Sequence, residues 1–152
     1  MRSPWEKVAI DSNILVYCEL EPDSDKGARS RTILEMTAPR GVLAVQASTE
    51  FLAVVRRRRP QNLASAIAKT RIWSKVFEMA PTTPQVAELA LELIVGHNFQ
   101  VWDAVIWSAA YAMGARTLLS EDMQDGFVYR GVTVVNPFAT KTHALLKSYL
   151  AP

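Results

Sequence analysis

The chain has 152 residues, 49% of them hydrophobic, and a formal net charge of +2. That length and apolar fraction suit one compact domain with a sizeable core rather than two, and so small a charge excludes a protein that holds nucleic acid by bulk electrostatics. The opening Met1-Arg2-Ser3-Pro4-Trp5-Glu6-Lys7 places charge before any apolar stretch that could act as a signal peptide, and no later run is long enough to span a bilayer, so a cytoplasmic protein is expected.

Strand-like apolar runs alternate with helix-like periodic ones, which predicts an α/β fold with a parallel sheet flanked by helices. The first strand, Lys7-Val8-Ala9-Ile10, leads into Asp11-Ser12-Asn13 and an apolar helix, Ile14 to Cys18. Cys18 is the one cysteine, reads as a small core residue, and excludes an internal disulfide, in keeping with a reducing compartment. An acidic loop, Glu21-Pro22-Asp23-Ser24-Asp25, precedes a second helix in which Ala28, Arg31, Thr32 and Glu35 alternate with Ile33, Leu34 and Met36 until Pro39-Arg40-Gly41 stops it. The second strand is Val42-Leu43-Ala44-Val45. It is followed by Ser48-Thr49-Glu50 and the apolar run Phe51 to Val55, with Ser48 the expected N-cap.

The run Arg56-Arg57-Arg58-Arg59-Pro60 is the clearest local cluster of positive charge. It reads both as a solvated helix end suited to the negative end of the dipole and as a phosphate-binding patch for RNA. A fourth helix is expected from about Asn62 to Phe77. In the fifth, Thr83 caps, Pro84 takes the first position, and Val86, Leu89, Ala90, Leu93 and Ile94 recur at helical spacing before Gly96. A sixth runs from about Val101 to Met113 with Val105, Ile106, Ala109, Ala110 and Met113 on its buried side, and strands Thr117-Leu119 and Val132-Val135 follow. The segment after Pro137 is read as a tail.

Open parallel sheets carry their sites at the carboxyl ends of the strands, where the following helices begin. Four carboxylates fall there: Asp11 after the first strand, Glu50 in the first turn after the second, Asp103 in the first turn of its helix, and Asp122 after Thr117-Leu119. Singly, each has a plain structural reading as a cap, a turn residue or an acid favoured by the helix dipole. Together, with Ile10, Phe51, Val101, Trp102 and Leu119 pressing them toward the core, they would repel one another unless a cation intervened. Oxygen-only ligands select Mg²⁺ or Mn²⁺, which would acidify a bound water and neutralise charge building on a phosphoryl group. Ser12, Asn13 and Ser120 stand close enough in sequence to hydrogen-bond these carboxylates or that water, and Asn13 reads equally as a cap.

The segments Val8 to Tyr17, Ser48 to Phe51, Trp102 to Ile106 and Leu118 to Gly126, in that order, resemble a PIN domain, specifically a toxin of the VapC kind. The resemblance spans about Val8 to Pro137 and implies a three-layer α/β/α domain with a tail over 138–152. It further implies an acidic Mg²⁺ or Mn²⁺ site and hydrolysis of RNA by metal-activated water. By it, Asp11, Glu50 and Asp103 match the three acids held essential and Asp122 the more variable fourth, with Glu121 and Asp125 as alternates. Such toxins dimerise and are silenced by a small antitoxin; Trp107 and Met113 are the expected apolar candidates for a homodimer surface.

Three rivals fit less well. A haloacid dehalogenase wants a second Asp where Asn13 stands, a receiver domain wants an early acidic pair, and a metal-independent ribonuclease recruits histidine. The chain offers only His97, near a helix end, and His143, in the tail. A catalytically silent RNA- or protein-binding module on the same fold is the alternative from another class. Trp73, Trp102 and Trp107 read as core or dimer surface rather than base-stacking platforms.

Overall fold

A computed structural model describes residues 6–151; Met1 to Trp5, on which part of the signal-peptide reading rests, and Pro152 lie outside it. Strand β1 (Lys7–Ile10) is buried and ends at Asp11, whose extended backbone caps helix α1 (Ser12–Leu20). Helix α2 (Asp25–Thr37) is capped by Ser24 and joined to α1 by a tight loop. Gly27 packs so closely there that a Cβ would stand 1.8 Å from the Glu21 carbonyl oxygen. Strand β2 (Gly41–Ala44) follows, then α3 (Val45–Arg58), α4 (Leu63–Val76), β3 (Glu78–Ala80), α5 (Pro84–His97) and α6 (Val101–Ala112). The chain ends with β4 (Ala115–Leu119), β5 (Val128–Tyr129), β6 (Val132–Val135) and α7 (Ala144–Leu150).

The six strands form one sheet in the order β3-β2-β1-β4-β6-β5. All neighbours are parallel except β5 and β6, which form an antiparallel hairpin at the edge. Its two-residue turn holds Arg130 and Gly131 at φ of 45° and 79°, the doubly left-handed geometry whose twist suits a tight hairpin. β1 therefore lies at the centre, with β2 and β4 on either side, and the reversal of strand order at β1 opens a crevice at their carboxyl ends. Helices α1, α2 and α7 pack together, while α5 and α6 pack on each other and α6 also meets β2, β3 and β4. The core between these layers includes Ile10, Ile14, Leu43, Phe51, Ile106, Trp107 and Leu118, all about fully buried.

The structure departs from the sequence reading in several places. No loop separates β2 from α3: the helix starts at Val45 with Ala44 as its cap, so Ser48 is not the N-cap but a buried residue within the helix whose hydroxyl has no partner. Ala47, Phe51 and Val55 form the buried stripe that fixes this early start, and they place Glu50 in the second helical turn rather than the first. Trp107 is wholly buried and stacks on Tyr111 at 5.6 Å, and Met113 is half-buried, so neither supplies an exposed dimer surface. Residues beyond Pro137 include helix α7, which buries Leu146 and Tyr149; the Tyr149 hydroxyl lies 2.8 Å from Thr117 Oγ1 on β4. Among the described residues no helix is long and apolar enough to cross a membrane.

Candidate active site

Asp11 is the most firmly held of the four acids. Its backbone N–H donates to Leu119 O of β4 at 3.0 Å, tying the end of β1 to its neighbour. One carboxylate oxygen accepts from Ser12 N at 2.6 Å; the other accepts from Ser120 Oγ at 2.6 Å and from Asn13 Nδ2 at 3.2 Å. Asn13 Nδ2 also donates to Asp122 Oδ2 at 3.2 Å, so one amide bridges two acids that belong to distant parts of the chain. The Ser120 hydroxyl in turn accepts from the backbone N–H groups of Asp122 and Met123, both at 3.2 Å, and shapes the turn that carries Asp122. Ser12, Asn13 and Ser120 thus all reach the acids, and Asp11 is at once a helix cap and the link, through Asn13, to Asp122.

Glu50 from α3 and Asp103 from the first turn of α6 lie close enough to each other and to Asp11 and Asp122 to couple electrostatically. Burial, then repulsion from Asp11, Asp103 and Asp122, pushes the Glu50 carboxyl up to about 7, a hydrogen bond from Ser12 opposing the rise. Burial, then Asp11 and Asp122, raises Asp103 to about 6. Burial also raises Asp11, against the hydrogen bonds from Ser120 and Ser12. These couplings bring the acids of four different elements into one electrostatic cluster. Among the described residues, none of the ion pairs Lys7–Glu78, Lys26–Glu121, Lys69–Glu19 and Arg130–Glu92 includes any of these four acids. Glu50 Oε2 is buried without any hydrogen-bond partner. In their present positions, among the described residues, no three His, Cys, Asp or Glu side chains are arranged to hold one metal ion, the Asn13 amide lying between Asp11 and Asp122.

The neighbouring acids have other partners. Burial works against ionised Glu121, yet hydrogen bonds from Lys26 and Tyr17 hold its carboxyl below the usual range. Lys26 also sits over the rings of Tyr17 and Phe138, a cluster that no spacing in the sequence announced. Asp125 accepts from Asn136 N at 2.8 Å and ties the loop before β5 to the end of β6. Neither contributes to the raised carboxyls of the cluster, whereas Asp122 does. Val101 and Trp102, expected to press Asp103 into the core, are more than half exposed, at 53% and 56%; the buried Ala104, Ile106 and Trp107 hold the helix instead.

The arginine run divides. Arg56, Arg57 and Arg58 form the last turn of α3 and Arg59 its cap, all four exposed. Arg58 lines a small cavity of about 220 Å³ together with Ser12, Asn13 and Asp122, beside the acids. Arg56 and Arg57 line a separate groove with Leu52, Leu63 and Ile67. A larger cavity of about 360 Å³ opens on the other side of the acids and takes in Asp103 and Asp122.

The PIN domain family matches residues 8–125. A search of curated proteins gives no significant sequence match. Among solved structures the chain is similar to VapC20 of Mycobacterium tuberculosis, described as a sarcin-ricin loop cleaving toxin, with 16% identity over 74% of this chain and 87% of that one at a TM-score of 0.63. It is similar also to a toxin–antitoxin complex from Klebsiella pneumoniae (19% identity, 87% and 98% covered, TM-score 0.65) and to DNA-bound VapBC from Salmonella typhimurium (13%, 85% and 96%, 0.61). Since the family match runs through Asp11, Glu50, Asp103 and Asp122, on a fold that these solved structures share, the chain belongs to the PIN domain family.

Proposed function

We propose that this chain is a divalent-metal-dependent ribonuclease and the toxin component of a toxin–antitoxin pair. The observation that carries the reading is the buried, unpartnered Oε2 of Glu50 within a cluster of carboxylates that repel one another. A carboxylate left in this state raises the free energy of the fold unless something positive arrives. Oxygen donors fit Mg²⁺ or Mn²⁺, and Asp11, Glu50, Asp103 and Asp122 are the residues that would hold the ion. When bound, such an ion supplies a water of lowered pKa and offsets charge on the phosphoryl oxygens.

The remaining chemistry belongs to the chain. Ser12 and Ser120 fix the Asp11 carboxylate by donating to it, and Asn13 holds Asp122 in register with Asp11. Burial and the neighbouring acids push the Glu50 carboxyl up to about 7, and a cation held beside it would favour the ionised form that serves as a ligand. Arg58, on the rim, is placed to hold a phosphate of the strand next to the one being cut. RNA as substrate and a small antitoxin as partner are supported by the similar proteins, one a sarcin-ricin loop cleaving toxin and another solved as a toxin–antitoxin complex. The cytoplasm is where such a substrate is met. A homodimer through α5 fits its exposed Leu91 and Val95, four residues apart on one helical face.

The test is cleavage of a labelled RNA by the purified chain with Mn²⁺ and with EDTA. Cutting that requires Mn²⁺ and is lost in Glu50→Gln is expected; no cutting, or cutting in EDTA, would overturn the reading.

A further inference from the structure

The cavity of about 360 Å³ beside Asp103 and Asp122 has a lining that phosphate chemistry does not explain. Three amides, Asn98, Gln100 and Gln124, contribute to it, with the rings of His97 and Phe99 and no lysine or arginine. Two carboxylates at its mouth and no cation within make it a poor place for a phosphate. Amides carry donors and acceptors side by side, which is what the edge of a nucleobase presents. The volume is near the lower end of the roughly 300–1,000 Å³ typical of small-ligand pockets, room for a single unstacked base.

Two further features point the same way. Gln100 occupies the N-cap of α6 but makes no capping hydrogen bond, and glutamine is not among the residues that helix starts favour, so the helix does not account for it. The two rings belong to a larger aromatic cluster. The His97 ring packs on Tyr129 at 4.6 Å and on Phe127 at 5.4 Å, and Phe99 packs on Phe127 at 5.1 Å. Unpaired RNA bases are recognised in this manner, stacked on aromatic rings and hydrogen-bonded along their edges.

We propose that this cavity is a nucleobase subsite, which holds the base of one nucleotide next to the scissile phosphate and gives cleavage its base preference. It rests on the ribonuclease reading above. A strand crossing the acids would then have a phosphate against Arg58 on one side and a base among the amides on the other.

Two measurements test it separately from that reading. Uridine, cytidine, adenosine and guanosine are added singly, at millimolar concentration, to isotope-labelled protein, and the side-chain amide resonances of Asn98, Gln100 and Gln124 are followed. One nucleoside is expected to shift them with about tenfold tighter binding than the weakest, the discrimination one good amide–base pair supplies. That difference should collapse in Gln100→Ala combined with Gln124→Ala. In the second measurement a pool of single-stranded RNA randomised in sequence is cut in Mn²⁺ and the ends are sequenced. The parent is expected to favour one base at one position beside the cut, and the double variant to lose that preference about tenfold. If the parent cuts nothing, the ribonuclease reading fails and the nucleoside titration alone decides the subsite. Amides that respond to none of the four nucleosides, or a base preference that survives intact in the double variant, overturn the proposal.

Discussion

Replacing Asp103 with Asn keeps the shape of the side chain and removes one charge from the acidic cluster, and the consequences can be worked through with and without metal. The Asp103 carboxyl rises from 3.8 to about 6 on folding, through burial first and then repulsion from Asp11 and Asp122. A shift of this size corresponds to about 3 kcal/mol of strain on the ionised form, which water reaching the half-exposed group reduces to about 1–2 kcal/mol. Because the folded state holds this proton more tightly than the unfolded chain, the strain is absent below pH 3.8, grows as pH rises, and is complete above about 6. Asp103→Asn should therefore match the parent near pH 3.5 and exceed it at pH 7.5 in EDTA by about 1–2 kcal/mol, or about 3–6 °C in Tm for a chain of this length. Mn²⁺ at about a hundred times its Kd should stabilise the parent by about 2.7 kcal/mol and the variant far less, so the rank order inverts. Thermal melts at the two pH values, with EDTA and with Mn²⁺, read all of this. An Asp103→Asn variant that is no more stable at pH 7.5 in EDTA, or that keeps the full Mn²⁺ shift, would show that the acids do not form the repelling, metal-binding cluster proposed above.

Arg58→Gln should weaken RNA binding and lower the slope of log affinity against log salt by about 0.7, the share of one single-strand phosphate contact, whereas Arg56→Gln should leave the slope unchanged; an unaltered slope for Arg58→Gln would return the whole run to a solvated helix end. Expression of the chain alone should arrest growth, with relief on co-expression of a small neighbouring protein, and normal growth without that partner would count against the toxin role while leaving nuclease activity untouched. Light scattering at micromolar concentration should give the mass of a dimer, and Leu91→Glu with Val95→Glu that of a monomer; a monomeric parent would exclude the dimer. Leu146→Ala should cost about 2–5 kcal/mol in urea unfolding, since its side chain is wholly buried, and a loss under 1 kcal/mol would mean that α7 is not part of the cooperative core.

Much of the fold was legible because its long elements carry their own signals. The buried runs of β1, β2, β4 and β6 and the periodic faces of α1 to α6 are visible in the order of residues alone. What was missed is short or depends on distant neighbours. β3 has three residues and β5 two, too few to show alternation, although Arg130-Gly131 is a hairpin signal that could have been read. α7 owes its place to Thr117 and the core beneath it, and nothing local distinguishes Leu146 and Tyr149 from an apolar tail. The start of α3 was misplaced because Ser48 is a good capping residue by type, while the stripe Ala47, Phe51 and Val55 drives the helix to begin earlier. For the acids, position after a strand end was enough to single out Asp11, Glu50, Asp103 and Asp122, which the fold couples electrostatically. Local sequence could not show that Glu121 has partners in Lys26 and Tyr17, or Asp125 in Asn136, because these lie elsewhere in the chain.

The pairing of Ser120 with Asp11, 109 positions apart, has a meaning for how the protein comes into being on the ribosome. β1 is made first but sits at the centre of the sheet, and its second neighbour, β4, emerges only when most of the chain has been translated. At about 5–20 residues per second, roughly 5–20 s separate the synthesis of the two halves of the cluster. Throughout that interval Asp11 lacks the serine that pins it, and the fourth acid does not yet exist. A nascent chain, or one cut short before β4, therefore lacks the assembled cluster, and on the function proposed above activity would begin only once β4 and the turn after it have left the tunnel and joined β1.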